Sequence, residues 1–382
     1  MKNIRIALVG EARGQTEDQF DHGFTGASGQ ELARMLGDSG LAPRLSYNYP
    51  GPLEMIAYWR SLRDNHGIAI TNVFEEHPPD NDLGYFFDTT SKDGFMPPLV
   101  MAKFPGKYVQ PRHRHHIETL NTKLKELNPT LTILLGNCPC WAILKQTKIS
   151  VIRGTIQKSP HLNLKCLPTF HPSYIIQGSW PDRPIVLADF QKAIRESQSP
   201  EIKFLDRRAW FNCTLEEIRA WSALPADSYA VDIESGYAFY SKAELNRMTK
   251  QMKYLLASQI SMVGFARNET DALVIEFMHR DKPNLSYWDN PEDEISAWKL
   301  CYELLQKPIP KTFQNGLYDM NRLLYAGMPT FMPRHDTMLH HHAHYPEMKK
   351  SLGFMASIYC NESAWKQLYG RGQGGSLKGE DE

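Results

Sequence analysis

Asp232 and Glu234 stand two residues apart in the run AVDIESG, residues 230–236. Side chains alternate across a strand, so positions two apart share a face and both carboxylates project together. A bland strand end would carry one turn residue rather than a matched acidic pair. The segment QNGLYD, residues 314–319, adds Asp319 at the start of a predicted helix, with Asn315 and Tyr318 beside it. Carboxylates gathered on one spot repel one another unless divalent cations neutralise them. Mg²⁺ prefers oxygen ligands, and two such ions about 4 Å apart can activate a water and stabilise the leaving oxygen of a phosphodiester. A lone D-x-E on a strand is common, so the reading rests on the pair together with the later N-x-x-x-D.

The elements that must position these groups are bounded by composition. A chain of 382 residues is too long for one ordinary core, and two domains are expected. With 42% hydrophobic and 23% charged residues it reads as a globular protein. No apolar run reaches the length of a membrane span and no signal peptide precedes the first strand, which predicts a cytoplasmic protein with no membrane partner. Lys plus Arg is 43 and Asp plus Glu is 43, so bulk charge does not announce a nucleic acid. Local patches do that binding. Lys103, Lys107, Arg112, Arg114, Lys123 and Lys125 face a single acid, Glu118, with Tyr108 interleaved. Such a patch can neutralise DNA phosphates, with Arg112 and Arg114 as the leading contacts, or it can be a solvated helix face. The six cysteines are scattered, as in a reduced intracellular protein, and the C-x-C of Cys138 and Cys140 reads as ordinary burial rather than a metal site.

Along the chain, IRIALVG (4–10), GIAITNVF (67–74), LTILLGN (131–137) and CLPTFHPSYII (166–176) read as buried strands. Between and after them lie helical patterns at 30–36, 116–127 and 185–196, the last with Pro184 at its start. This alternation predicts an α/β layer fold with a largely parallel sheet, whose ligands bind beyond the C-terminal ends of the strands. ESQSPEIKF (196–204) reads as a linker between a domain at 1–197 and another at 205–382. Thr214 and Glu217 have capping-box spacing, and three strand-like runs, YAVDIES, QISMVGFAR and DALVIEF, follow. The Gly-rich tail 370–382 lacks apolar periodicity and is expected to be flexible.

From about 205 to 360, the chain resembles the proofreading 3′–5′ exonuclease domains of family A DNA polymerases. The resemblance is carried by VDIES, by QNGLYD and by HDTMLHHHAHYPEMKKSLGFMASIY (335–359), which looks like a helical stretch of phage-type members. It implies an RNase H-like α/β domain with Asp232, Glu234 and Asp319 as catalytic ligands of Mg²⁺ or Mn²⁺, and Asn315 and Tyr318 as substrate contacts. The family pattern gives Asp336 no ligand role, and His340, His341, His342 and His344 read as a packed or solvated helix face. The third motif of these enzymes, a Tyr or His followed closely by Asp, is missing. After Tyr359 the one aspartate is Asp381, in the tail. A polymerase domain or partner chain is expected to supply it.

From 1 to about 197, the chain resembles the iron–sulfur branch of the uracil-DNA glycosylase superfamily. GEARGQTEDQFDHGFTGASGQELARML (10–36) places Glu11 after a strand, glycines at 10, 14, 26 and 29, and Phe24 at an aromatic position. ITNVFEEHPPDND (70–82) carries Asn72 at the base-reading position, and PTFHPSYII (168–176) carries His171 in an H-P-S motif. The resemblance implies a three-layer α/β/α domain in which Phe24 stacks a flipped uracil and Asn72 pairs with its imide edge. His171 then stabilises charge at O2, while Glu11 positions water or stabilises the cationic sugar. Taken singly, Phe24 could be core, Asn72 a loop cap and His171 a satisfied histidine before a proline. Arg13 replaces a proline of the pattern, Gly23 precedes Phe24, and Glu76 stands where a cluster cysteine would fall. No iron–sulfur cluster is therefore expected.

Together these resemblances describe the N-terminal portion of a phage-type DNA polymerase, acting on single-stranded or primer–template DNA in the host cytoplasm. Two other readings stay open: a non-catalytic DNA-binding scaffold of a split polymerase, and a uracil-DNA glycosylase with a vestigial nuclease.

Overall fold

The computed structural model describes residues 4–46, 48–90, 94–101, 104–203, 205–282 and 284–360. Two compact units divide the chain. One runs to Lys203 and resumes at Gly353; the other occupies the stretch between. The sequence reading ran the second domain on to 382, whereas the last described helix, Leu352–Tyr359, goes with the first unit from Gly353 onward. The 370–382 tail lies outside the described residues.

The first unit contains β1 (Ile6–Ala12), β2 (Ile68–Phe74), β3 (Phe87–Asp88), β4 (Leu99–Met101), β5 (Phe104–Val109), β6 (Leu131–Leu135), β7 (Gln157–Lys158) and β8 (Lys165–Thr169). Five strands form one sheet in the order β2-β1-β6-β8-β7, parallel throughout except for the β7–β8 pair. β3, β5 and β4 make a separate small antiparallel sheet. Each central strand feeds two cores. Ile6 and Leu8 pack with the helices Ala27–Ser39, Pro52–His66 and Arg183–Glu196, while Ala7 and Val9 pack with Arg114–Leu127 and Asn137–Leu144. Burial on both faces is why these parallel strands read as unbroken apolar runs. Cys138, Cys140 and Cys166 are all enclosed in the second of these cores.

Two boundaries differ from the sequence reading for local reasons. The helix expected at 30–36 runs from Ala27 to Ser39, because Gly26 enters it extended and Gly40 closes it in the left-handed region. Its ASG start has no apolar stripe to betray it. The run 166–176 is not one strand: β8 ends at Thr169, and Pro172 opens the helix Pro172–Ile176, with His171 as its cap. Proline at the first helical position has no N–H to lose there.

Behind β8 lies a buried ionic cluster. The Asp189 carboxylate, fully buried, accepts from Arg153 Nε at 3.1 Å and Nη2 at 2.5 Å, and from Thr169 Oγ1 at 2.7 Å. Lys192 Nζ donates to the carbonyls of Gly154, Ser357 and Cys360, and Arg153 Nη1 donates to Ser357 Oγ at 3.0 Å. Burial pushes the Lys192 ammonium down to about 8. These bonds fasten the Leu352–Tyr359 helix to the first unit.

The second unit contains β9 (Arg208–Trp210), β10 (Tyr229–Ser235), β11 (Ile260–Asn268), β12 (Asp271–Glu276), β13 (Lys311–Phe313) and β14 (Pro333–Asp336), ordered β14-β13-β10-β11-β12-β9. β10, β11 and β12 form an antiparallel meander; β13 adds parallel to β10, and β14 parallel to β13. Thr214 and Glu217 form the reciprocal capping box their spacing predicts, opening the helix Leu215–Ser222. The 335–359 run, expected to be helical throughout, instead begins in β14. Asp336 then caps the helix Thr337–His344 by accepting from Met338 and Leu339. On that helix His341 is buried while His340, His342 and His344 are exposed, as a helix face requires.

Replacing Asp189 with Asn leaves the Arg153 guanidinium buried without its counter-charge. A loss of about 3–5 kcal/mol is expected, read as a lower urea midpoint for the unfolding of the first unit.

Candidate functional site

In the first unit the residues singled out from sequence collect at the C-terminal edge of the parallel sheet. Gly10 of β1 lies opposite Asn72 of β2 in register, Glu11 follows on β1, Gly136 follows β6, and His171 follows β8. The backbone of Gly136 donates to the Thr169 carbonyl at 2.9 Å, tying the ends of β6 and β8.

Glycine is required at two of these points. A β-carbon on Gly10 would sit 2.4 Å from both Asn72 Oδ1 and Phe24 Cζ, so the amide and the ring meet over a bare α-carbon. One on Gly136, where φ is +97°, would sit 2.7 Å from Glu11 Oε1 and 3.2 Å from His171 Cβ. Phe24 and Asn72 are 3% exposed. The Trp59 indole fixes the Phe24 loop by donating to its carbonyl at 2.8 Å and packing edge-on to its ring.

Electrostatics set the protonation states. The Ser173 N–H donates to His171 Nδ1 at 3.1 Å, and Ser173 Oγ lies 2.6 Å from the same nitrogen. An imidazole accepting at Nδ1 carries its proton on Nε2. Burial pushes His171 down to about 4, so this neutral donor form holds at neutral pH. Burial pushes the Glu11 carboxyl up to about 7, partly offset by a hydrogen bond from the Cys138 N–H.

Three positioning residues escaped the sequence reading. Glu17 is buried and accepts from the backbone N–H groups of Gly14, Gly26 and Phe24, latching the loop that carries the ring. Glu75 accepts from Thr71 Oγ1 at 2.7 Å, the Asn72 N–H at 3.3 Å, Lys123 Nζ at 3.3 Å and Arg13 Nε at 3.0 Å. Burial alone would raise this carboxyl, but Lys123, the two donors and Arg13 together hold it below the usual range. Arg13, noted from sequence only as a departure from pattern, also pairs with Asp21 at 2.6 Å. Glu17 had a legible signal, its spacing of three from Gly14; Glu75 is close in sequence to Thr71 and Asn72, but its charged partners Arg13 and Lys123 are distant.

A cleft of about 510 Å³ opens alongside, lined by Arg13, His22, Gly23, Thr71, Glu75 and Lys123 among others; Glu11, Asn72 and His171 are not in its wall. The basic segment is divided in role. Arg112 is exposed, with its guanidinium 5.2 Å from the Tyr85 ring centre, and Arg114 lies 4.9 Å from that of Phe95. Lys125 is exposed, Lys123 is spent on Glu75, and Lys103 lies outside the described residues.

The comparisons with known proteins fall on this unit. Residues 1–195 match the family model of the uracil DNA glycosylase superfamily. The chain belongs to that superfamily. Over 193 residues it is also 25% identical to a Type-4 uracil-DNA glycosylase of Thermotoga maritima, covering 50% of this chain and 77% of that one. The iron–sulfur cluster of the superfamily branch named above does not fit the cysteines present: three are enclosed in a core of the first unit, Cys213 and Cys301 lie in that of the second, and Cys360 is exposed. Among the described residues of this superfamily member, Glu76, His113 and His116 form the group of potential metal ligands that converges within 4.8 Å.

In the second unit, Val231, Ile233 and Ser235 point inward from β10 while Asp232 and Glu234 share the exposed face. Asp319 is 4% exposed, and its Oδ1 accepts from the Ile233 N–H at 3.1 Å. Burial first, with the charges of Asp232 and Glu234 adding, raises its carboxyl to about 6. The donors are all oxygen and share excess negative charge, which fits a hard divalent cation. Asn315 caps the helix Gly316–Tyr325 in the left-handed region, and Tyr318 is 42% exposed one turn along. Asp336 is a structural acceptor, taking the N–H groups of Asn315, Gly316, Met338 and Leu339.

Gly136→Ala combines a left-handed backbone with overlap on Glu11. It should destabilise by about 1–3 kcal/mol, measured by urea unfolding against wild type.

Proposed function

We propose that the first unit takes a flipped uracil out of DNA and hydrolyses its N-glycosidic bond. The observation that carries this reading is His171, held neutral with its Nε2–H free to donate, at the same strand edge as Glu11, Asn72 and Phe24. Superfamily membership over residues 1–195 supports it. In this reading the base lies against Phe24, and the Asn72 amide, with one donor end and one acceptor end, matches its imide edge. The Glu11 carboxylate accepts a proton from water as the water oxygen bonds to C1′. The C1′–N1 bond breaks with its electron pair passing to the base, and the His171 Nε2–H meets the charge that develops on O2. Uracil leaves as an anion that takes a proton from solvent, and an abasic sugar remains. Arg112 and Arg114 hold the phosphates. No iron–sulfur cluster takes part, and iron and sulfide analysis should be negative.

A second reading concerns the other unit: a metal-dependent 3′–5′ exonuclease of RNase H-like fold. It is favoured by the acidic pair on one face of β10 over the buried Asp319, and by a meander extended by parallel strands at both edges. Asp232, Glu234 and Asp319 would hold Mg²⁺ or Mn²⁺, which supplies charge neutralisation and an acidified water when bound. Asn315 and Tyr318 would hold the strand end, and a polymerase domain or chain would provide the missing third motif. The scaffold alternative predicts DNA binding with neither activity.

Excision of uracil from a labelled oligonucleotide tests the first reading. His171→Ala should lower the rate by about 10²–10³ with binding retained, and Asn72→Ala should erase the preference for uracil. Because Glu11 acts as the carboxylate, the wild-type rate should rise as pH passes about 7, and this inflection should vanish in Glu11→Gln. Absence of excision by the wild-type chain would reduce the unit to a binding module. Digestion of a 3′-labelled single strand with Mg²⁺ or Mn²⁺ tests the second reading. Activity that survives Asp232→Ala would belong to some other group or to a contaminant.

A further inference from the structure

We propose that Glu76, His113 and His116 bind a single zinc-class divalent cation at a site that uses none of the six cysteines. Their ligand atoms lie within 4.8 Å of one another. Glu76 Oε2 is 3.1 Å from His116 Nε2 and 3.7 Å from His113 Nδ1. Ligands at about 2.0–2.1 Å around a tetrahedral ion stand about 3.3 Å apart, so the observed separations bracket that value and need only small side-chain adjustments.

His113 decides between a metal site and a simple hydrogen bond. The Glu76–His116 contact alone is explained by a hydrogen bond. His113, however, is 4% exposed, and neither ring nitrogen has a hydrogen-bond partner. A buried imidazole in that state is costly, and coordination removes the cost. His113 ends a short helical turn and His116 lies in the first turn of Arg114–Leu127; three residues apart, they share a face. Glu76 reaches them from just beyond β2. Phe86 and Tyr85 pack their rings about His113, at 5.0 Å each, and Phe74 packs against His116 at 5.6 Å, walling the site with aromatic carbon. Two imidazoles and one carboxylate suit zinc, with a fourth position left for water.

Bound there, the ion would clamp Glu76, the second residue after β2, to the Arg114–Leu127 helix, next to Glu75 and its hold on Asn72. The test is titration of the untagged full chain, stripped by chelator, with Co²⁺ as spectroscopic probe, followed by Zn²⁺ displacement. One equivalent should show the intense d–d bands of a tetrahedral site, lost on adding Zn²⁺, and Zn²⁺ should raise the melting temperature of the stripped protein. Glu76→Gln and His116→Gln, each verified as folded by circular dichroism, should lose that equivalent, while Asp232→Ala and His342→Gln should keep it. Absence of tetrahedral bands in the wild type, or their persistence in both Glu76→Gln and His116→Gln, would overturn the assignment. An ordered water would then account for His113.

Discussion

The space where β-carbons of Gly10 and Gly136 would lie is taken by the side chains of Phe24, Asn72 and Glu11, with His171 close by. That steric fact governs the first unit. Parallel strands bring their C-terminal ends to one edge, but side chains at those ends would ordinarily fill the gaps between them. Two bare α-carbons instead let an aromatic loop, an amide and an acid press directly against the backbone. The elements around them then hold that contact. Trp59 and Glu17 grip the Phe24 loop, Glu75 grips the backbone at Asn72, and Ser173 turns the His171 ring. Each hold is made through a backbone group or, at His171, through Nδ1.

The same edge separates two titratable groups by environment. Enclosure disfavours charge on both, driving the carboxyl of Glu11 upward and the imidazole of His171 downward. An acid that ionises near neutrality and a base that stays neutral well below it form a pair able to handle a proton at one atom and a developing anion at another. In the second unit the carboxylates influence one another directly, and Asp319 feels both exposed acids across the strand. Enclosure is thus the leading cause in both units, and in the second the neighbouring carboxylates add to it.

Much of this was legible in the sequence, for physical reasons that can be named. β1, β2, β6 and β8 were visible because strands buried on both faces must be apolar without interruption. Asp232 and Glu234 were visible because a period of two keeps them on one face. Glu11, Asn72 and His171 were visible as an ordered set through the family resemblance, and the parallel sheet brings them to one edge. The short strands β7, β9 and β14 were not, since two to four residues carry no periodicity. Nor was the break at His171–Pro172, where a buried strand and a short apolar helix look alike. The charged partners of Glu75 are 48 and 62 residues away and the His113 ring has no hydrogen-bond partner, and local pattern registers neither condition. The division of labour in the basic segment was hidden too, because whether Lys123 faces phosphate or Glu75 depends on tertiary structure alone.

The Arg153–Asp189–Lys192 cluster has a bearing on how the chain comes together over time. Its last acceptors, Ser357 and Cys360, emerge from the ribosome some 150 residues after Lys203, when the whole intervening unit has already been made. Until then a lysine and an arginine in the forming interior lack part of their coordination, and water must serve in its place. The first unit is thus begun early and sealed late. Its interior closes only when a distant stretch of chain returns to complete the polar shell, and a domain that looks contiguous in a family comparison is discontinuous in its assembly.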